Sequence, residues 1–417
     1  MNRRTPHTSG STSRTGLRIA MLGSRGVPAT FGGVEHHVEQ IGSRLVERGH
    51  QVTVYSQSRY VGSDRTSKHL GMDVVTLPSL PVRGAEALAH AGLSTVHALG
   101  RGHDVFHYHA VGPGLVAPLA RWGSRAAVVQ TVHGLDADRA KWGGGARTVL
   151  NLATWMSARV PHTTVTVSQA LADHYAVRYG REAVHVPNGI NPKPARQARL
   201  ITQRHGLQGD DYLLFVGRLV PEKRPDLLLE AFRGLKTDLK LVLVGGSSHT
   251  DEYVAELHRL AEDDPRVIMP GYVYGDELDE LFTNAAGFVQ PSALEGLPLT
   301  LLEAMGADLP VVVSDIDPHL EVVGADRPGA RVFADGDVES LRAAVRRLLE
   351  DRGAEVTDLA TARAGARTLG FYDWDAATTA LESVYLSALR RPRGSRITAI
   401  DTAGTPVGAH HHQRIPA

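Results

Sequence analysis

Two carboxylates eight residues apart, Glu295 and Glu303, stand in the segment PSALEGLPLTLLEAM at residues 291–305. Ahead of them GFVQ reads as a buried strand, Gly296 and Pro298 as a turn, and Leu299 to Met305 as the start of a helix. Amides at a helix N-terminus have no intrahelical partner. The chain at Gly296, Leu297, Pro298 and Leu299 could therefore hold phosphate oxygens while Glu295 faces the group attached to them. Glu303, a turn into the helix, could accept two hydroxyl hydrogen bonds from a ribose. The pair could equally be a helix-entry carboxylate and a solvated acid. In VGRLVPEKRPD at 216–226, Arg218 ends a strand and Lys223 follows five residues later. Two cations at the mouth of a sheet can neutralise a diphosphate leaving group. Solvated cations are the plain alternative, although a helix dipole disfavours Lys223 where it stands.

The first loop, GSRGVPATFGGVEHHVEQ at 23–40, lacks the G-x-G-x-x-G of a dinucleotide site, and the next strand, QVTVYSQS, ends without an acidic residue. That weakens a hydride-transfer reading. Its glycines, Gly33 included, would let backbone amides approach a phosphate or a sugar, or are simple turn formers. His107 and His109 share one face of the strand DVFHYHA, which suits a metal, yet no third ligand stands at diagnostic spacing. Buried core histidines are the alternative. Two D-x-D strings, Asp136 with Asp138 and Asp315 with Asp317, could hold a divalent cation. Because Arg218 and Lys223 already supply positive charge, no metal is assigned. In GYVYGDEL, Tyr272 and Val273 would offer groups to a nucleobase edge or close the core. His410, His411 and His412 could chelate weakly, though such a triplet in a tail is usually inert.

Positioning these residues falls to a chain of 417 residues, 42% hydrophobic, enough for about two or three domains. It has no cysteine, which excludes a disulfide framework, a thiol nucleophile and Cys-ligated metals. A reducing compartment, the cytoplasm, is the expected address. No run approaches the roughly 18 apolar residues of a membrane span, and the first sixteen residues lack the apolar stretch of a secretory signal. From Arg18 apolar runs alternate with amphipathic stretches, the pattern of a parallel sheet covered on both faces. The pattern restarts after VPNGINPKP at 186–194. The expected architecture is α/β, with an N-terminal domain at 17–192, a C-terminal domain at 193–371, a helix at about 372–390 and disordered tails at 1–16 and 391–417. Two such sheets joined once leave a cleft between their strand ends.

The run PSALEGLPLTLLEAMGADLPVVVSD, with its E-x7-E spacing, resembles the retaining glycosyltransferases of family four, as do VGRLVPEKRPD, T-x-H-G and GSRGVPATFGGVE. The resemblance spans roughly residues 17–390. It implies a GT-B fold of two Rossmann-like domains with the C-terminal helix crossing back. It also implies transfer of a sugar from a nucleotide diphosphate donor to a hydroxyl acceptor, without metal or cofactor. Carried over by motif, Glu295 and His133 would lie at the reacting sugar, and Arg218 and Lys223 on the pyrophosphate with Gly33 and the 296–299 loop. Glu303 would lie on the ribose, and Glu35 and His109 toward the acceptor. TVHGLDADRAKWG further resembles a rhamnosyltransferase-like subgroup. A nucleotide-sugar epimerase or hydrolase, or a non-catalytic nucleotide-sugar-binding module, are the alternatives.

Charge adds one expectation. The chain carries 45 Lys and Arg against 45 Asp and Glu, which excludes a globally basic nucleic-acid binder. Residues 1–195 hold 21 basic and 11 acidic side chains, an excess of ten, and residues 196–417 the opposite, 24 against 34. Drift in surface composition would explain this, and so would an anionic or lipid-linked acceptor and peripheral contact with the inner face of a membrane.

Overall fold

The computed structural model describes residues 16–30, 32–62, 66–79, 86–135, 144–247, 250–324, 329–351 and 365–390. Asp136, Asp138, the histidine triplet and nearly all of both expected tails lie outside them. Eight strands form the first sheet: β1 (Arg18–Leu22), β2 (Gln51–Gln57), β3 (Lys68–His69), β4 (Met72–Leu77), β5 (Val105–His109), β6 (Ala127–Val132), β7 (Thr163–Thr166) and β8 (Val184–His185). Their order is β3-β4-β2-β1-β5-β6-β7-β8, with only the β3–β4 pair antiparallel. The second sheet holds β9 (Tyr212–Val216), β10 (Lys240–Val244), β11 (Val267–Gly271), β12 (Gly287–Gln290), β13 (Val311–Ser314) and β14 (Ala330–Phe333), in the order β11-β10-β9-β12-β13-β14. Two edge strands escape a periodicity reading. β3 is two polar residues, and β14 is too short and mixed to stand out.

Strands buried on both faces carry mostly apolar side chains, and β6, buried throughout, is apolar except for Gln130 and Thr131. One face of the first sheet packs Ile19, Met21, Val105 and Val129 against Val38, Ile41 and Leu45 of the helix Gly33–Glu47. The helix Trp374–Arg390 completes that core with Trp374, Leu381, Val384 and Tyr385. The C-terminal helix therefore packs on the first sheet, as expected. The segment that leaves the first sheet lies against the segment that returns: the Ile190 amide donates to the Tyr372 carbonyl at 2.9 Å, and a Cβ at Gly189 would fall 2.3 Å from the Trp374 nitrogen.

In each sheet the strand order reverses once. The reversal lies between β1 and β5 in the first and between β9 and β12 in the second. At such a point the loops leaving adjacent strands diverge to opposite faces and open a crevice at the carboxyl ends of the strands.

Candidate active site

Every charged residue singled out at 218–223 and 295 follows the second sheet's reversal. Arg218 stands two residues beyond β9, and Lys223 ends the single turn Pro221–Lys223. Glu295 lies in the loop after β12. The Lys223 ammonium and the Gln290 amide, the latter at 2.7 Å, both donate to Glu295 Oε1. Both ends of the ion pair are largely buried. Burial alone would raise the Glu295 carboxyl, but Lys223 and His319 outweigh it and hold it below the ordinary range. Glu295 is thus an ionised group kept in place by strand and turn. Arg218 faces the buried Glu222 carboxylate at 4.0 Å.

Leu299–Gly306 is a helix with Pro298 at its N-cap and no side-chain cap. Pro298 has no amide, and the Leu299 amide turns onto the Leu297 carbonyl at 3.0 Å, so fewer donors point outward than helix geometry alone supplies. Those of Gly296, Leu297 and Thr300 are the amides a phosphate could use. Glu303 sits one turn on, 3.9 Å from Lys193. Burial, reinforced by Asp279 and opposed by Lys193, raises its carboxyl. Lys193 also reaches Asp279 at 3.2 Å and caps the ring of Phe282. It comes from the segment joining the sheets, and only the folded chain brings it to Glu303.

Tyr272 and Val273 follow β11 but do different things. Tyr272 is half exposed, stacks with Tyr274 at 6.1 Å and donates its hydroxyl to the Ser247 carbonyl at 2.8 Å. Val273 is buried in the second domain's core, so its side chain has no free face and only its backbone could meet a base. Asp315 accepts the Asp335 amide at 2.8 Å, and Asp317 opens the helix Asp317–Val323, as in an ordinary turn.

At the first sheet's reversal the groups are imidazoles. His107 and His109 end β5, His133 follows β6, and His37 comes from the helix Gly33–Glu47. His107 is satisfied on both ring nitrogens, by Tyr385 Oη at 2.8 Å and Thr131 Oγ1 at 2.7 Å. The other three converge: His109 Nδ1 lies 3.3 Å from His133 Nε2, and one ring nitrogen from each of His37, His109 and His133 lies within 4.8 Å of the other two. His37 Nδ1 donates to Asn188 Oδ1 at 2.6 Å. Burial drives all four imidazoles toward the neutral form, His37 to about 4 and the rest well below 6.5.

Glu35 turns into its own loop. Its Oε1 accepts the Arg25 amide at 2.9 Å, and its Oε2 occupies the space a Cβ at Gly32 would need. It clamps the glycine loop from within, and its burial leaves little surface for a substrate.

The two reversals face each other. A Cβ on Gly296 would fall 1.9 Å from the His133 carbonyl oxygen, and one on Gly33 3.2 Å from Leu299 Cδ1. Glycine at 296 is what lets the loop carrying Glu295 rest on the strand end carrying His133. His133, Glu295 and the Gly33 helix start are thereby brought together. His37, Asn188 and Lys193 are the additions, and no local motif marks them.

Residues 31–194 match the family model described as Glycosyltransferase Family 4, and residues 198–364 the one described as Glycosyl transferases group 1. The chain is 29% identical to a glycogen synthase of Mycobacterium tuberculosis (strain ATCC 25618 / H37Rv), over 90% of this chain and 96% of that protein. It is 27% identical to a GDP-mannose-dependent alpha-(1-6)-phosphatidylinositol monomannoside mannosyltransferase of Mycolicibacterium smegmatis, over 79% and 89% of the two chains. Among solved structures, a sucrose-phosphate synthase from Thermosynechococcus elongatus superposes with a TM-score of 0.75 at 20% identity, covering 89% of this chain and 98% of that one. Anabaena HepE, solved with UDP and glucose, gives 0.73 at 17% identity over 89% and 100%. Neither relative points to the rhamnosyltransferase-like subgroup.

Proposed function

Because this chain belongs to the family 4, group 1 glycosyltransferases and has their GT-B fold, we propose that it moves a sugar from a nucleoside diphosphate donor to a hydroxyl acceptor with retention at the anomeric carbon. The observation that carries this reading is the buried Lys223–Glu295 pair at the second sheet's reversal, with Arg218 beside it and Glu303 one turn along. The donor would lie over this crevice, with Glu303 on the ribose, Tyr272 near the base, and Arg218, Lys223 and the 296–300 amides on the diphosphate. An ammonium has three donors, so Lys223 can hold Glu295 and still meet a phosphate oxygen. Glu295 would accept hydrogen bonds from the sugar hydroxyls beside the reacting carbon. HepE solved with UDP and glucose, and a relative named for GDP-mannose, support a nucleotide-sugar donor without choosing its base.

In the transfer, the bond from the anomeric carbon to the diphosphate oxygen breaks and its electron pair stays on that oxygen. The acceptor oxygen bonds to the same face of the sugar and its proton passes to the departing phosphate. The residues supply charge and position, and closure of the cleft excludes the water that would hydrolyse the donor. The role is synthesis of a cell-surface polysaccharide or glycoconjugate. Glu295→Ala should abolish transfer with the fold intact by circular dichroism, and near-normal turnover would sink the assignment.

The N-terminal half is proposed to work at an anionic lipid surface. Trp122, 73% exposed, and Trp155, 49% exposed, line a surface pocket of about 350 Å³ with Arg121 and Arg159, and Leu119, Val149 and Leu152 are exposed on the same two helices. Amphipathic rings set among guanidiniums suit the boundary between headgroups and acyl chains. No helix among the described residues is long and apolar enough to cross a membrane. Binding of the full chain to vesicles containing phosphatidylserine should weaken with salt and with paired Trp122→Ala and Trp155→Ala changes. Binding indifferent to both would remove the lipid surface and leave the transferase reading untouched.

A further inference from the structure

The imidazoles at the first sheet's reversal do not fit the description of a satisfied polar core. His107, next to them, shows what that looks like: both ring nitrogens have hydroxyl partners within 2.8 Å. By contrast, among the described residues, His37 Nε2 is buried with no protein partner, and His109 Nδ1 and His133 Nε2 meet only each other, at 3.3 Å. Such atoms are costly to bury unless something absent from the protein chain meets them.

Three features identify the missing partner. The donors are imidazoles alone, with no carboxylate among them, which suits zinc and its transition-metal neighbours rather than magnesium or calcium. The 3.3 Å between His109 Nδ1 and His133 Nε2 matches the separation of about 3.3–3.4 Å expected for two nitrogens on one tetrahedral ion with bonds of about 2.0–2.1 Å. Finally, His37 Nδ1 is already committed to Asn188 Oδ1 at 2.6 Å, which fixes the ring and directs Nε2 as the coordinating atom. A sugar hydroxyl could meet one such lone pair. It would not account for three rings from three separate elements placing nitrogens within 4.8 Å of one another.

We propose that His37, His109 and His133 form a binding site for one zinc-class divalent ion, with a fourth position left for water or another oxygen ligand. His107 is a neighbour and not a ligand. The site belongs to the first sheet and takes no part in neutralising the diphosphate. Since His133 and His109 also face the sugar side of the cleft, the test reads metal binding directly and not transfer.

The test uses the full chain with His410→Ala, His411→Ala and His412→Ala, to remove the competing triplet, purified without metal affinity and stripped with a chelator. Titration with Co²⁺ should give one equivalent bound and the visible absorption of a tetrahedral cobalt centre. That band should disappear in His37→Gln and in His109→Gln and survive in His97→Gln, which lies elsewhere on the first domain. Circular dichroism and thermal unfolding check that each variant is folded. If the parent protein shows no tetrahedral band, or if folded His37→Gln and His109→Gln keep it, the proposal is overturned.

Discussion

The two strand-order reversals are built alike and furnished differently. At the second, the polar groups are ion pairs, Lys223 with Glu295 and Arg218 with Glu222, taken from segments close to their strands. At the first, they are neutral imidazoles from the Gly33–Glu47 helix, β5 and the end of β6, steadied by Asn188 from beyond β8. Ion pairs beside a sheet mouth hold charge that a diphosphate can share or displace. Neutral imidazoles carry no charge of their own and offer lone pairs to a hydroxyl or an ion, so any charge on this wall comes with what binds there. The cleft itself has one wall of ion pairs and one wall of neutral lone-pair donors.

Breaking the charged wall should have the largest effect. Lys223→Ala leaves the Glu295 carboxylate buried without its ammonium, with Gln290 and His319 still beside it, which should destabilise the second domain by about 3 kcal/mol and lower turnover about a hundredfold or more. Thermal unfolding and initial-rate kinetics check both. A stable, active Lys223→Ala protein would mean that the pair is decoration.

Contact between the walls comes next. Gly296→Ala drives a Cβ into the His133 carbonyl and should hold the walls about 1 Å further apart, lowering turnover on the order of a hundredfold while each domain keeps its core. Gly33→Ala meets only a movable Leu299 methyl at 3.2 Å and should cost far less. Equal losses in the two variants would show that the Gly296 contact has no special role.

Acid separates the walls by stability. An unfolded imidazole takes up a proton below about pH 6.5, whereas the buried His37 resists it until about 4. Between those values the unfolded chain binds more protons, so stability falls with pH, on the order of 3 kcal/mol from His37 alone. Glu295 has its carboxyl held below the ordinary value, so its contribution persists through the same window and is lost only at lower pH. Hydrogen exchange on stepping from pH 7 to pH 5 should therefore loosen the first sheet, with four such buried imidazoles, before the second, where His319 is likewise lowered to about 4. Simultaneous loosening would contradict the assignment of buried neutral imidazoles.

How much of this is legible in the sequence also differs between the walls. Parallel strands, the restart after residue 194 and the returning helix follow from apolar runs and their spacing, because burial on two faces leaves a local signature. Glu295, Glu303, Arg218 and Lys223 are legible for the same reason, each lying in the segment that leaves β9 or β12, two to thirteen residues past the strand end. His37 is not, since nothing in GGVEHHVEQ says which of its two histidines turns inward, and its partners stand 72 to 151 residues away. Lys193 is hidden in a joining segment. Glu35 and Val273 go the other way: a carboxylate beside glycines and a residue in a strand-end loop look available, and the fold spends one on the Arg25 amide and the other on the core.

The central claim is that the charged wall binds a nucleotide diphosphate. Its most direct measurement is the thermal midpoint of the full chain in a panel of nucleoside diphosphates and their sugars, beside Arg218→Ala and Lys223→Ala. A ligand at a hundred times its dissociation constant adds about 2.7 kcal/mol, a clear upward shift. The account predicts that one base family gives such a shift and that both variants lose most of it. No shift with any nucleotide, or a shift unchanged in both variants, would contradict it.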